Sequence, residues 1–455
     1  MISSLLANLG SRILAFFGSF HPKALPAHLR RNYGQELLAW SVLPIMLAGV
    51  QGGAMAVILK KTFTDTPGMN LEALALAVAT VTTSTAIGNL TSGIWAVVAN
   101  GRPKVPIISI LMGCTSLCVL AMAFVPFNAF GAWSMVALVV LGWIFWSGVI
   151  TIRTTIWRKN YPDADRAKIA GRLATVQVLM MAVIGYLLGL MLDRSVEFIR
   201  IMFPILGSMG IIGAVIYSRV RLRGQRRLMR AELASESDRR PSANPLSVVQ
   251  VLTNDNAYAA YMGCMMCLGF GNLMNIPVLA LVLADRFDAN YEDSLLLSVV
   301  IPSLVIPMAI PIWARFLDRV HVITFRSIHS WVFVSAATLY LVAIQTETVT
   351  LMFLASIILG IGFAGGMLAW NLGHQHFAPA HRDAEYMSAH VMLTGLRGLI
   401  APFAGVAIYE FGAKHGFPAA SYAAGLSLTL GGAFGFYALQ RWHRRTIQAE
   451  VRPTT

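Results

Sequence analysis

The chain has 455 residues, of which 56% are hydrophobic and 12% charged, and its mean hydropathy is +0.65. A soluble protein of this length needs more polar surface to cover its core, so a soluble globular fold is excluded. The net charge of +14 would suggest nucleic acid in a soluble chain; here the cations follow the loops, and nucleic acid is not an expected partner.

The first 20 residues carry Leu5, Leu6, Ile13, Leu14, Phe16, Phe17 and Phe20 with one basic residue, Arg12. They lack a basic opening and a small-residue cleavage site. The expectation is an amphipathic helix on the inner membrane surface, set apart from the first span by Pro22 and Pro26. A bilayer span needs about 20 mostly apolar residues. Such stretches fall at 37–59, 73–98, 105–126, 132–156, 171–192 and 198–219, and again at 257–283, 293–316, 324–344, 349–372, 386–410 and 418–440. Between the sets, eight arginines and three acids lie between Arg219 and Arg240, followed by Pro241, Ser242 and Pro245. The expected organisation is a cytoplasmic segment 1–35, a six-helix bundle 36–220, a basic linker 221–255, a second six-helix bundle 256–441 and a cytoplasmic tail 442–455. Threading the spans with the N-terminus inside, and counting cations within three residues of a span end with the adjoining loop, puts 28 Lys/Arg on one side and six on the other, leaving Arg397 alone deep within a span. This positive-inside pattern predicts cytoplasmic termini.

The two sets carry matching signals. Gln51 lies twelve residues before Phe63 in the first span, and Asn275 twelve before Phe287 in the seventh. Tyr161-Pro162 with Arg166 follows the fourth span, and Ala378-Pro379 with Arg382 follows the tenth. The turns after spans two and eight read Asn100-Gly101-Arg102-Pro103-Lys104 and Ala314-Arg315-Phe316-Leu317-Asp318-Arg319. These turns resemble the loop signature of the major facilitator superfamily: a Gly, an Asp-Arg pair, then Gly-Arg with further basic residues. The first copy has Val98 where the family Asp would stand, and the second has His321 in place of the Gly. With twelve spans and a basic central linker, the chain resembles that family over about 36–441.

The resemblance implies an all-α membrane protein in which two six-helix bundles rock around a cavity lined by spans one, four, seven and ten. It implies gating roles for Gly101, Arg102, Asp318 and Arg319, with Asp318 and Arg102 tying helix ends together in one conformation. Placement in a bacterial inner membrane, as a monomer without cofactor or metal, is the accompanying expectation.

Function then rests on polar groups inside the spans. All 21 Asp and Glu fall in loops or near span ends, Glu36, Glu72, Asp193, Asp318 and Glu410 being nearest. No buried acid is therefore expected as a proton site or as a counter-ion for a lipophilic cation. Arg397 sits mid-span, where an arginine costs about 2.5–3.5 kcal/mol on insertion scales. His390 and Thr394 share its helical face, and together they suit a carboxylate or phosphate, unless Arg397 only braces helices. Gln51, Asn272 and Asn275 are candidates for cavity lining by amides. Trp370 and Asn371 follow the glycine-rich run Gly360 to Gly366, and Trp143 and Trp146 are candidates for an aromatic wall. His390 and His374 are the candidate proton sites. His374, His376 and His381 read as solvated loop histidines rather than metal ligands. Cys114, Cys118, Cys264 and Cys267 read as packing residues. The run from Gly398 through Pro402 to Gly405 is similar to the family's antiporter motif, but stands in span eleven instead of five. No nucleotide-binding or catalytic motif is present, so an enzyme is not expected.

The expected function is secondary active or facilitative transport of a small organic solute, anionic or zwitterionic, by alternating access. Two alternatives stand: a neutral or amphipathic solute with Arg397 structural, or a membrane scaffold or sensor without flux.

Overall fold

The computed structural model describes residues 18–64, 66–234, 241, 244, 246–287 and 296–451. The surface helix expected at the N-terminus falls on residues 1–17, outside the described residues. All regular structure among the described residues is helical. Lipid offers no partner to a free N–H or C=O, and helices satisfy both internally.

In the first half the helices are α1 (Ala27–Val50), α2 (Gly52–Phe63), α3 (Leu71–Leu90), α4 (Ser92–Ala99), α5 (Lys104–Ala121), α6 (Ala129–Asn160), α7 (Asp163–Arg194) and α8 (Ile199–Tyr217). The linker contributes α9 (Gln225–Leu233) and α10 (Ser247–Asn254). The second half holds α11 (Asn256–Phe287), α12 (Ile301–Leu317), α13 (Val322–Thr346), α14 (Val349–Leu372), α15 (Asp383–Lys414) and α16 (Ala420–Val451). Eleven membrane segments among the described residues are long and apolar enough to cross a bilayer. The interrupted pair α1–α2 makes the twelfth.

That interruption is local in origin. Gln51 is extended (φ −64°, ψ 126°) just before Gly52-Gly53, a dipeptide with little helix preference. A second break separates α3 from α4 at Thr91, whose hydroxyl donates to Gly88 O at 2.7 Å and competes with the helix ladder.

Helix pairing repeats between the halves. In the first, α1 packs on α7 and α8, α5 on α6 and α8, and α3 on α6. In the second, α11 packs on α15 and α16, α13 on α14 and α16, and α12 on α14. Each pairing recurs six spans later, which gives the paired sequence signals a structural counterpart. The halves meet along two seams, α3–α4 against α15 and α7 against α12. Gly395 makes the first seam possible, because a Cβ there would lie 2.7 Å from Ala86 O. Twelve crossings return the chain to the end where α1 began; the loops of Arg102, Arg166, Arg319 and Arg382 gather there, and we refer to it as the basic end.

Candidate functional site

A cavity of about 380 Å³ lies between the halves at mid-depth. It is walled by Leu47 of α1, Trp143, Trp146 and Arg153 of α6, Asn272 of α11, Trp370 and Asn371 of α14, and Arg397 of α15, with Arg326 and Phe333 added by α13. Spans one, four, seven and ten all contribute, as the resemblance implied.

Arg397 is 7% exposed and reaches this cavity. Its Nη1 donates to Met265 O at 2.8 Å, while Nε has no acceptor. Gly269 leaves the room for it, since a Cβ there would collide with the guanidinium. Arg397 is not alone, and this corrects the sequence reading. Arg153 and Arg326 are also buried in spans and line the same cavity, and each keeps an Nε–H with no acceptor. Among the described residues, no Asp or Glu lines it. Both arginines lie within three residues of an expected span end, where hydropathy does not separate a side chain turned outward from one turned inward.

The three cations are held differently. Arg326 Nη1 meets His329 Nδ1 at 3.2 Å, and His329 Nε2 meets Gly362 O at 2.8 Å. The carbonyl requires the proton on Nε2, which leaves Nδ1 as the acceptor for the arginine. Arg153 stacks between Trp40 and Trp157, its Cζ 4.4 and 4.3 Å from their ring centroids, and its Nη2 donates to Asn371 Oδ1 at 3.1 Å. Trp157 Nε1 donates at 2.6 Å to Glu36, which is 1% exposed. Glu36 is therefore a fully buried acid that span-end position alone did not reveal. Arg153 is the most restrained of the three, and Arg397 and Arg326 are freer to meet a solute.

The other expected residues divide. Trp370 and Asn371 line the cavity. Thr394 supports it from behind, accepting from Trp370 Nε1 at 3.2 Å and donating to His390 O at 2.9 Å. His390 is fully buried, packed edge-on against Trp370 with both ring nitrogens unpartnered, and lies outside the lining. Asn272 lines the cavity, but Asn275 does not; it lines a separate space inside the second bundle. Gln51, at the α1–α2 break, is exposed and is not part of the lining.

Between this cavity and the basic end the halves are bolted together. Arg158 donates to Asp383 Oδ1 at 3.1 Å and to Ala378 O at 2.6 Å. His374 Nε2 lies 3.4 Å from the same carboxylate oxygen, and both residues are fully buried, so His374 is no solvated loop residue. Gln375 donates to Thr154 O at 2.8 Å, and Ser92 to Ser388 O at 2.9 Å. On the second seam Asp318 accepts the N–H groups of Ala167 and Lys168 at 2.8 and 3.1 Å. Burial pushes its carboxyl up to about 7 despite those two donors. Burial likewise lowers His321 beside it to about 4, keeping that ring neutral. Arg319 lines a cleft of about 650 Å³ at the mouth of this seam, with Arg158, Arg166 and His321. The acids of this cleft are already engaged, Asp163 by Arg166 and Asp318 by backbone, so it belongs to the seam.

The expected Asp318–Arg102 tie is replaced by another. Arg102 is exposed, and Lys104 makes the ion pair at this turn. Glu232 of α9 accepts from Gly101 N at 2.7 Å and Lys104 Nζ at 2.6 Å, with both charged side chains almost fully buried. Gly101 has φ +66°, which permits the turn that presents its N–H. The acid at this turn comes from the linker, and 131 residues separate Glu232 from Gly101.

The family model of the Major Facilitator Superfamily matches residues 41–402. The chain belongs to the major facilitator superfamily. Members of the superfamily are membrane transporters, so this chain is an integral, multi-pass membrane protein with a transporter fold. Its fold is similar to that of the proton:xylose symporter XylE (TM-score 0.69, 14% identity, covering 90% of this chain and 95% of that one). It is also similar to the human organic anion transporter MFSD10 (0.64, 12%, 91% and 100%). A bacterial homologue of the iron transporter ferroportin in its outward-facing state is a third match (0.66, 13%, 90% and 99%). At such identities the likeness establishes the fold and not the solute. No curated protein matches the sequence.

Proposed function

We propose that this facilitator-superfamily chain moves a small organic anion by alternating access, its negative group held by Arg397 and Arg326, with Arg153 completing a positive field. One observation carries the reading: three guanidinium groups converge on a cavity without a lining acid, and each retains a buried Nε–H with no acceptor. A carboxylate or phosphate offers the planar or multiple acceptors that guanidinium binds best. Positive charge at mid-depth disfavours a cationic solute.

We assign the basic end to the cytoplasm, because Lys and Arg concentrate in cytoplasmic loops. The cross-half bonds of Arg158, Gln375, Ser92 and Asp318 then seal the cytoplasmic side, and the conformation is one that receives solute from outside. His374, tied to Asp383 at the seam, is the histidine to test for proton linkage; neither ring nitrogen of His390 has a hydrogen-bond partner. Equal uptake with and without a pH gradient would count against such linkage. The aromatic walls Trp143, Trp146 and Trp370 favour a second reading, an amphipathic neutral solute with the arginines structural.

Proteoliposome uptake separates the two readings. With anionic metabolites as test solutes, Arg397→Gln and Arg326→Gln should each nearly abolish uptake, and Arg397→Lys should restore part of it. Unchanged uptake in both glutamine variants would remove the anionic reading, and absence of any flux would favour a scaffold.

A further inference from the structure

The central cavity has a neighbour. A second space of about 300 Å³ runs into the interior of the C-terminal bundle and shares Asn272 and Phe363 with the first. Leu279, Ala336, Ala337, Tyr340 and Tyr422 form its walls, with Asn275 at its side. Several of its polar groups already bond within the protein. Tyr340 Oη meets Ser356 Oγ at 2.8 Å, Asn275 Oδ1 accepts from Ser421 Oγ at 3.3 Å, and Asn272 Nδ2 donates to Leu268 O at 3.0 Å. What remains for an occupant is mainly aliphatic and aromatic surface. The central cavity shares that apolar surface but adds three guanidinium groups, each with a buried N–H lacking an acceptor.

We propose that this space is a tail subsite of the transport site, and that the solute is an amphipathic organic acid. Its acid group would sit against Arg326 and Arg397, and a hydrocarbon or aryl tail would pass Asn272 and Phe363 into the C-terminal bundle. At a liquid-like share of about 30 Å³ per non-hydrogen atom, the space admits a tail of roughly ten such atoms. The adjacency has a physical use. A head that must be desolvated against buried cations gains from a tail that leaves water at the same time. The inference rests on the anionic-solute reading, and it explains why Asn275, matched in sequence to Gln51, faces a different space.

The test is a binding series on the full-length protein in nanodiscs, followed by tryptophan fluorescence, since Trp143, Trp146 and Trp370 line the head site. The probes are straight-chain carboxylates from butanoate to dodecanoate, with the matched alcohols. Affinity should rise about three- to fourfold per methylene and level off near octanoate to decanoate, with each alcohol weaker than its acid. Ala337→Phe fills the space and should bring octanoate down to the affinity of butanoate. Leu279→Ala enlarges it and should move the plateau to longer chains. An identical chain-length profile in wild type and Leu279→Ala overturns the proposal, even if Ala337→Phe does not fold. Acid preference without chain-length dependence removes the subsite and leaves the anionic reading. Alcohols binding as well as acids, with the profile intact, removes the anionic reading. No saturable binding by any acid overturns both.

Discussion

The seam at the basic end and the central cavity are built from the same residue type and use it oppositely. At the seam Arg158 has Asp383 and a carbonyl, and Lys104 at the nearby turn has Glu232. In the cavity Arg326 and Arg397 have a ring nitrogen, a carbonyl and unused N–H groups, and Arg153 has an amide and two indole faces. A cation with its acid in place is a fastener. A cation left short of acceptors is, on the proposed reading, a receptor for a mobile anion. The difference lies in what the neighbouring helices present, not in the arginine.

Four measurements bear on that contrast. Asp383→Asn removes the acid that Arg158 and His374 share, and breaking a buried pair costs about 3 kcal/mol or more. The closed seam should lose population by roughly a hundredfold at that value, read as faster labelling of an introduced seam cysteine by a membrane-impermeant thiol reagent from the basic end. Unaltered labelling would mean that Asp383 is no fastener. Next, Arg397→Gln should reduce uptake of an organic anion about 10- to 100-fold, the value of a charge-assisted hydrogen bond, with little change in seam labelling. An effect on labelling as large as that of Asp383→Asn would erase the distinction between the two regions.

How much of this was legible in the chain follows from where each charge stands. Arg397 lies far from either end of its span, so position alone marked it as buried. Arg153 and Arg326 lie near expected span ends, where the same sequence is compatible with a side chain at the interface. Glu36 looked like a loop-proximal acid until Trp157 and its neighbours enclosed it. Gln51 and Asn275 matched in spacing but not in surroundings, because a Gly-Gly break intervenes in one helix and not in the other.

Smaller effects sharpen the comparison. Glu232→Gln keeps an acceptor for Gly101 N but removes the charge opposite Lys104, and should lower thermal stability by about 1.5 kcal/mol, with Glu232→Ala costing more. An unchanged melting temperature in both would show that the linker does not latch this turn. Asp318 should give the mildest response. In the closed seam its carboxyl is pushed up to about 7, facing Asp165 and Lys168 as well as the two N–H groups; freed into water it returns to the ordinary carboxylate range. The closed form therefore binds a proton that the open form lacks between those values. Lowering pH from about 8 to 6 should favour closure by a few-fold, discounted for partial exposure. Seam labelling should fall accordingly, and Asp318→Asn should make it independent of pH in that window.

The sequence by itself determined the membrane fold, the division into two sets of six and the concentration of positive charge at one end. These follow from sums over neighbouring residues, which a bilayer reads one segment at a time. Only the tertiary structure decided which cations share a cavity, which acids are enclosed, and that Glu232 of the linker pairs with Lys104. Those outcomes depend on helix rotation and on meetings between residues as far as 296 positions apart, as for Ser92 and Ser388, and no local sum contains them.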